Sequence, residues 1–134
     1  MSFTPYIHFQ GNCAEAMTFY AQVFGATDLW FQKYADAPED VGVPTTSDKI
    51  MHAHFSVHGQ SLMASDFPDG HEGDPQKAVS ISFAVNTLEE GHVIFDQLAK
   101  GGDVLMPFSK TFWSPGFGML KDRFGTHWMV SIPG

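Results

Sequence analysis

Three histidines in one segment are the residues of this sequence best suited to chemistry. His52, His54 and His58 occur at even spacing in KIMHAHFSVHG, so a β-strand would place them on one side. A His-x-His pair can start a metal site, for which Asp66 and His127 are the candidates to supply further ligands. The alternative is that the imidazoles fill the polar side of a sheet and hydrogen-bond to neighbours. We favour the alternative because no second His/Glu cluster completes a ligand set.

Two other reactive groups have structural alternatives. Cys13 follows the predicted N-cap of a helix, where the helix dipole lowers a thiol pKa and favours a nucleophile. We favour a small residue in the first helical turn, because no His is fixed near it in sequence. Asp66 is interpreted as a general base at a pocket mouth or as the cap of the FPDG turn, and we favour the cap.

The KDRFG segment, with Asp122 and Gly125, predicts a tight structural turn.

An aromatic cluster surrounds the short segment SPG near the C-terminal end of the sequence. Phe112, Trp113 and Phe117 are interpreted either as ordinary core or as a wall against which a flat or apolar ligand lies. Ser114-Pro115-Gly116 interrupts regular strand pairing, and irregular segments often carry binding groups. Both interpretations remain open from the sequence.

The overall charge and composition exclude some partners. The net charge is −8 with only seven Lys and Arg, which argues against nucleic acid and anionic lipid as partners. No apolar run approaches the roughly 18 residues of a membrane helix, and MSFTPYIHF lacks the features of a signal peptide. Cys13 is the only cysteine, so no internal disulfide forms. We therefore expect a cytoplasmic protein without a membrane partner.

Two halves of the chain share one pattern of elements. FTPYIHFQG reads as a strand and NCAEAMTFYAQVFGA as a helix, with Asn12 and Glu15 as a capping box. VSISFAV and NTLEEGHVIFDQLAKGG repeat the pattern, with Thr87 and Glu90 as a second capping box. Further strands are predicted in TDLWFQKYA, KIMHAHFSVHG, QSLMASDF, DVLMPFS, FGMLKD and THWMVSI. An internal repeat of β-α-β-β-β order follows.

The repeat predicts an α+β fold of two tandem βαβββ modules. A four-stranded sheet with one helix buries only one face, so the modules are expected to form a curved mixed sheet around a cavity, with the helices outside. We expect one domain over residues 1–134, with module one at about 1–70 and module two at about 77–134. The segments ADAPEDVGVPTTSD and PDGHEGDPQKA read as loops because they are rich in Pro, Gly and Asp.

The sequence resembles the PhnB-like proteins of the vicinal oxygen chelate (glyoxalase/bleomycin resistance/dioxygenase) superfamily. The matching segments are PYIHFQGNCAEAMTFYAQVFGA, HAHFSVHGQSLMASD and TFWSPGFGMLKDRFGTHWMV. PhnB-like proteins often carry a methyltransferase label. This sequence has no Gly-rich strand-to-helix loop followed by an acidic strand end, which a nucleotide-type cofactor site would need.

The resemblance also indicates where a metal would bind. Metal-dependent members of the superfamily hold the ion with His and Glu on inner strands. The corresponding positions here are Thr4 or Pro5, Ala64 or Ser65, Ser80, and Met129. None is a His or a carboxylate, so we predict no metal at the usual site and no cofactor.

The predicted binding residues combine the residue patterns with this mapping. Ile7 and Phe9 should face the helix, which leaves Tyr6 and His8 for the cavity. No nucleophile, base and orienting group can be assembled, so no catalytic residue is assigned. The predicted substrate-binding residues are Tyr6, His8, His52, His54, Ser80, Ser82, Phe112, Trp113 and Met129.

The resemblance implies either a binding protein or an enzyme. We expect a small molecule in a metal-free aromatic cavity, and the net acidity suggests a cationic planar guest. The alternatives are a metal-dependent lyase, isomerase or dioxygenase-type enzyme with a relocated metal, and an interaction module with a vestigial cavity. Related chains commonly pair, so the resemblance also implies a homodimer.

Overall fold

The computed structural model describes residues 1–37 and 47–134 and confirms the predicted α+β fold. The chain divides into two compact units, Met1–Pro75 and Gln76–Gly134. Most of the predicted loop ADAPEDVGVPTTSD lies outside the described residues. That the two units act as one domain around a shared cavity stays a prediction. Among the described residues, no helix has the length and apolar character needed to cross a membrane.

Each unit contains a four-stranded mixed sheet and one helix of 12 residues. The sheet orders are β1-β4-β3-β2 and β5-β8-β7-β6. In each sheet the first pair is parallel and the others are antiparallel, which confirms the internal repeat. The elements of the first unit are β1 (Tyr6–Phe9), α1 (Cys13–Phe24), β2 (Trp30–Lys33), a 3₁₀ turn (Tyr34–Asp36), β3 (Ile50–Val57) and β4 (Gln60–Asp66). Those of the second are β5 (Ser80–Ala84), α2 (Leu88–Ala99), β6 (Asp103–Ser109), β7 (Phe117–Lys121) and β8 (His127–Ser131).

Alternation along the strands decides which face of the first sheet packs on α1. Ile7 and Phe9 of β1 are buried, as the sequence predicts. The register continues this face through Ala64 and Ala53, both fully buried, and α1 contacts β3 and β4. Side chains of opposite parity, including Tyr6, therefore lie on the face away from α1.

The start of α1 differs from the prediction. Asn12 is the N-cap residue, but its side chain makes no capping hydrogen bond, so the predicted Asn12–Glu15 capping box is wrong. Asn12 has φ −112° and ψ 22° rather than the extended backbone typical of a capping residue. Thr87 does cap α2, because its hydroxyl accepts a hydrogen bond from the Glu90 N–H at 3.1 Å. Gly25 ends α1 with φ +76°, as predicted.

The buried stripe of α1 lies nearer its N-terminus than the sequence suggests. Helical spacing in NCAEAMTFYAQVFGA predicts a buried stripe of Ala16, Phe19, Tyr20, Val23 and Phe24, but Phe19, Val23 and Phe24 are only half-buried. The sheet meets the first turns of the helix rather than the last. The buried residues are Cys13, Ala16, Met17, Tyr20 and Ala21.

The second unit has a core between α2 and its sheet. Trp128, Val130 and Leu120 are buried on the helix side of β7 and β8. Gly118 allows Phe108 to approach closely, because a Cβ at Gly118 would lie 2.8 Å from the Phe108 Cα. The opposite face is therefore left to side chains of the other parity.

Candidate functional site

Four predicted site residues lie together on the first sheet. Tyr6 and His8 on β1, and His52 and His54 on β3, all lie on the face away from α1. The register pairs Tyr6 with Met63 and Met63 with His54, so three strands present their side chains side by side. We call this helix-free side of β1–β4 the ring face.

Five rings form a continuous row across the ring face. Trp30 meets His52 edge-on with ring centroids 5.8 Å apart, and His52 stacks on Tyr6 at 5.8 Å. Tyr6 lies 5.0 Å from His8, which stacks on Phe67 at 5.3 Å. Tyr6 is 42% exposed and Trp30 is 51% exposed, so the row has accessible surface. These spacings are those of favourable ring pairs.

The row includes two rings that the sequence analysis missed. Trp30 and Phe31 are adjacent, so a period of two does not tell which one faces the helix. The pairing of Trp30 with His54 places Trp30 on the ring face. Phe67 follows β4 and reads as a loop residue, but its N–H binds the Phe9 carbonyl at 2.8 Å, which holds it beside β1.

Hydroxyl groups orient the imidazoles of the ring face. Tyr6 Oη lies 3.3 Å from His52 Nδ1, and Ser65 Oγ lies 3.4 Å from His8 Nδ1. His54 Nε2 lies 3.0 Å from the hydroxyl of Ser61. The interpretation of His52 and His54 as hydrogen-bonding groups on the polar side of a sheet therefore agrees with these contacts.

One carboxylate lies at the edge of this face. Asp28 accepts hydrogen bonds from the Ser56 N–H at 2.9 Å and from the Ser56 hydroxyl at 2.5 Å. These hydrogen bonds, with a smaller effect of His54, hold the pKa of Asp28 below its ordinary value. Asp28 is thus an ionised group that fixes the β2–β3 edge.

The relocated metal site is not formed. Asp66 lies on the α1 side of β4, because alternate residues of a strand point to the same face and Leu62 and Ala64 are buried there. His52 and His54 lie on the other side of the same sheet. Among residues 1–37 and 47–134, no three His, Cys, Asp or Glu side chains come together as metal ligands.

The favoured interpretation of Asp66 as the cap of the FPDG turn is wrong, because its carboxylate binds N–H groups of other segments. Asp66 is 2% exposed, and its Oδ1 accepts hydrogen bonds from Gly11 N at 3.0 Å and Cys13 N at 2.9 Å. Its Oδ2 accepts from Ile50 N at 2.9 Å. The carboxylate therefore joins the start of α1 to the start of β3.

Cys13 has the environment of a core residue. It is fully buried, and burial followed by the charge of Asp66 raises the pKa of its thiol well above the ordinary value. A thiol with a raised pKa is a poor nucleophile. This agrees with its interpretation as a small residue in the first turn of α1.

A shallow cavity of about 430 Å³ lies at the N-terminal end of α1. Its polar lining includes Asp48, Lys49, Asp66 and Asp69. Lys49 and Asp69 form an ion pair with 3.1 Å between Nζ and Oδ1. None of the predicted substrate-binding residues lines this cavity, so it is distinct from the ring face.

The other predicted residues belong to the second unit. Trp128 and Val130 of β8 are buried against α2. Met129 lies between them, and Ser82 pairs with it, so the side chains of Met129, Ser80 and Ser82 lie on the face away from α2. A register row crosses this sheet through Ser82, Met129, Met119 and Met106. His127 pairs with Ser80, and its Nδ1 is buried with no hydrogen-bond partner among the described residues.

The aromatic segment combines both interpretations given by the sequence. Phe117 is buried, whereas Phe112 is 97% exposed and Trp113 is 47% exposed. Their rings meet edge-on, with centroid distances of 4.7 Å for Phe112–Trp113 and 5.3 Å for Trp113–Phe117. Ser114 fixes the segment, since its hydroxyl lies 2.7 Å from the Gly116 carbonyl oxygen. Phe117 is therefore core, and Phe112 and Trp113 are available for contacts.

The KDRFG turn is structural, as predicted. Asp122 Oδ1 accepts hydrogen bonds from Phe124 N at 2.8 Å and Thr126 N at 3.0 Å, and its Oδ2 accepts from Trp128 Nε1 at 2.8 Å. Gly125 supplies the φ of +93° that the turn needs.

Comparisons with known proteins identify relatives that match this chain over almost its whole length. A family model described as 3-demethylubiquinone-9 3-methyltransferase matches residues 1–131. Protein YjdN of Escherichia coli K12 is 30% identical, with 98% of this chain and 95% of YjdN covered. The structure of protein PA1353 from Pseudomonas aeruginosa has a TM-score of 0.90 and 41% identity, with 99% of this chain and 98% of that chain covered.

Two further solved structures have the same fold as this chain. A putative 3-demethylubiquinone-9 3-methyltransferase, PhnB protein, from Bacillus cereus has a TM-score of 0.77 and 28% identity, with 98% of this chain and 99% of that chain covered. A glyoxylase/bleomycin resistance protein/dioxygenase domain from Frankia sp. EAN1pec has a TM-score of 0.70 at 14% identity, with 100% and 98% covered. The second likeness is one of fold alone.

Proposed function

We propose a binding function for this chain, which belongs to the PhnB-like family of the glyoxalase/bleomycin resistance/dioxygenase superfamily. The proposal is that its ring face holds a planar small molecule without a metal ion. The observation that carries it is the continuous row of five rings on one face of the first sheet, two of which are imidazoles.

Stacking supplies enough free energy for a useful affinity. A planar base stacked on one aromatic side chain gains roughly 1–3 kcal/mol. Contact with two or three rings of the row, together with one hydrogen bond of about 1 kcal/mol, supports micromolar to millimolar binding after the entropic costs of association. Tyr6 and Trp30 both provide exposed ring surface in the row.

The second unit provides a second set of proposed ligand contacts. Phe112 and Trp113 offer exposed rings, and Ser80 and Ser82 offer hydroxyl groups. Met129 is flexible and polarisable, so it adapts to varied apolar shapes. We propose that these residues also contact ligand, as the sequence pattern suggests.

The geometry of the β1–α1 turn disfavours a cofactor that would place a phosphate at the start of α1. The N–H groups of Gly11 and Cys13 already bind the Asp66 carboxylate. A phosphate at this helix start would need such N–H groups and would meet a negative charge. We therefore propose binding without a nucleotide cofactor.

Titration with 2-naphthol, a neutral planar probe, tests the ring face. We expect chelator-treated protein with less than about a tenth of an equivalent of metal to bind it, raising the melting temperature. The Tyr6→Ala/Trp30→Ala variant is expected to lose about tenfold or more in affinity, because two stacking surfaces are removed. Fluorescence titration and thermal shift measure both effects.

Matched variants locate the ligand. Phe3→Ala removes an exposed ring outside the row and should leave the affinity unchanged. The Phe112→Ala/Trp113→Ala variant measures the contribution of the second unit. A full loss in that variant with no loss in Tyr6→Ala/Trp30→Ala would contradict the proposed role of the ring face.

We further propose that the chain acts as a cytoplasmic homodimer. The support is the pairing implied by the family resemblance and, on β6, the exposed apolar side chains Val104 and Leu105. Light scattering at micromolar concentration should give about twice the 14.8 kDa mass of one chain. A species of single-chain mass alone would refute the dimer.

A further inference from the structure

We infer that the ring face selects planar anions, such as aromatic carboxylates, over planar cations. This inference rests on the proposed binding function and assigns its ligand class. Among the described residues, the strand positions of the ring face carry no Asp or Glu. The polar side chains at these positions are Tyr6, His8, Gln32, His52, His54, Ser56, Ser61 and Ser65.

Each polar side chain of the ring face can donate a hydrogen bond, and none of them carries a negative charge. His8 and His52 each use Nδ1 for a long contact to a hydroxyl, so Nε2 is the nitrogen that can meet a ligand. An imidazole donates a hydrogen bond in one of its neutral tautomers, and an imidazolium donates two and carries positive charge. A ligand carboxylate supplies acceptors only, so it matches these groups.

The nearest carboxylate does not change this match. Asp28 lies at the β2–β3 edge, and both of its oxygens are engaged by Ser56. A cationic ligand over Tyr6 and His8 would lie at the β1 edge of the sheet, which is the edge opposite to Asp28. The rings select flat shape, and the donors select negative charge.

The net charge of −8 suggested the opposite ligand, a planar cation. Charges farther away than the Debye length of about 8 Å at physiological salt are largely screened. Groups in contact with the ligand are screened much less, so hydrogen-bond donors within reach of the ligand count for more than a dispersed surface charge. The local set of side chains therefore decides the sign of the preferred ligand.

Three probes with one ring system separate shape from charge. They are 2-naphthoate, 2-naphthamide and 2-naphthamidine, which are anionic, neutral and cationic at pH 7. We expect 2-naphthoate to bind at least about tenfold more tightly than 2-naphthamidine at 0.15 M salt, because hydrogen bonds to charged groups are the stronger ones. Isothermal titration calorimetry on the full chain measures the three affinities.

Ring-preserving variants test the role of the imidazoles. His8→Phe and His52→Phe keep a flat ring and remove the donors. Each is expected to lower the ratio of naphthoate to naphthamide affinity by about fivefold or more. His71→Phe, at an exposed loop position, is the matched control and should keep the ratio. His52→Leu, which also removes the donor, replaces His52→Phe if that variant does not fold.

The outcomes distinguish the inference from the proposed function. Tightest binding of 2-naphthamidine, or an unchanged ratio in both His variants, overturns the anion preference and leaves planar binding intact. Absence of binding by all three probes overturns both. A naphthoate preference that falls in the His8 and His52 variants, but not in His71→Phe, supports the inference.

Discussion

Asp66→Ala is expected to lower the free energy of unfolding by about 3–5 kcal/mol, the loss typical of breaking a buried charged network. The substitution leaves the N–H groups of Gly11, Cys13 and Ile50 without their acceptor. The carboxylate is 2% exposed, so water cannot readily replace it. Urea denaturation followed by circular dichroism measures the change.

Two further variants control this result. Asp69→Asn alters the exposed ion pair with Lys49 and the hydrogen bond with Ser47, and it should cost less than about 1 kcal/mol. Asp66→Asn keeps one acceptor oxygen and should fall between the two, which keeps the test informative if Asp66→Ala does not fold. A loss of less than about 1 kcal/mol for Asp66→Ala would contradict the role assigned to the carboxylate.

Asp122→Ala is expected to destabilise the protein by about 3 kcal/mol or more. It removes the acceptor for Phe124 N, Thr126 N and the indole N–H of Trp128. Asp122 is 3% exposed and Trp128 is 2% exposed, so the indole N–H would be left buried without this partner. Chemical denaturation of the two proteins gives the difference in unfolding free energy.

A double-mutant cycle isolates the indole hydrogen bond. Trp128→Phe removes the donor, so Asp122→Ala should cost less in the Trp128→Phe background than in the natural chain, with a coupling of about 1–3 kcal/mol. Asp103→Asn, at an exposed carboxylate in the same unit, should change stability by less than about 0.5 kcal/mol. Strict additivity in the cycle would show that the 2.8 Å contact contributes no coupling.

The order and type of the elements follow from the sequence because the interactions that define them are local. Alternation in β1 places Ile7 and Phe9 on the helix side, and the structure agrees. Thr87 caps α2 as predicted because the capping contact spans only three residues. The internal repeat is readable for the same reason, since each half repeats its own local pattern.

The candidate site is predicted only in part. Tyr6, His8, His52 and His54 are identified by strand parity, and the structure brings them onto one face. Trp30 is missed, because its neighbour Phe31 is equally apolar and only the pairing with β3 decides which ring faces the helix. The described strand positions of the ring face carry no acidic side chain, although the net charge of the chain is −8. The sequence alone does not show this, because it depends on which few side chains share one surface of the sheet.

The sequence by itself determines an α+β chain of two βαβββ halves, with aromatic and imidazole side chains at alternate positions of the strands. Only the tertiary structure decides that the Asp66 carboxylate accepts hydrogen bonds from the N–H groups of Gly11, Cys13 and Ile50, which lie 55, 53 and 16 residues away along the chain. Strand register likewise builds the ring row from side chains of β1, β2, β3 and the residue after β4. Local patterns carry no information on such pairings, because these depend on which distant backbone segments the packed core brings together.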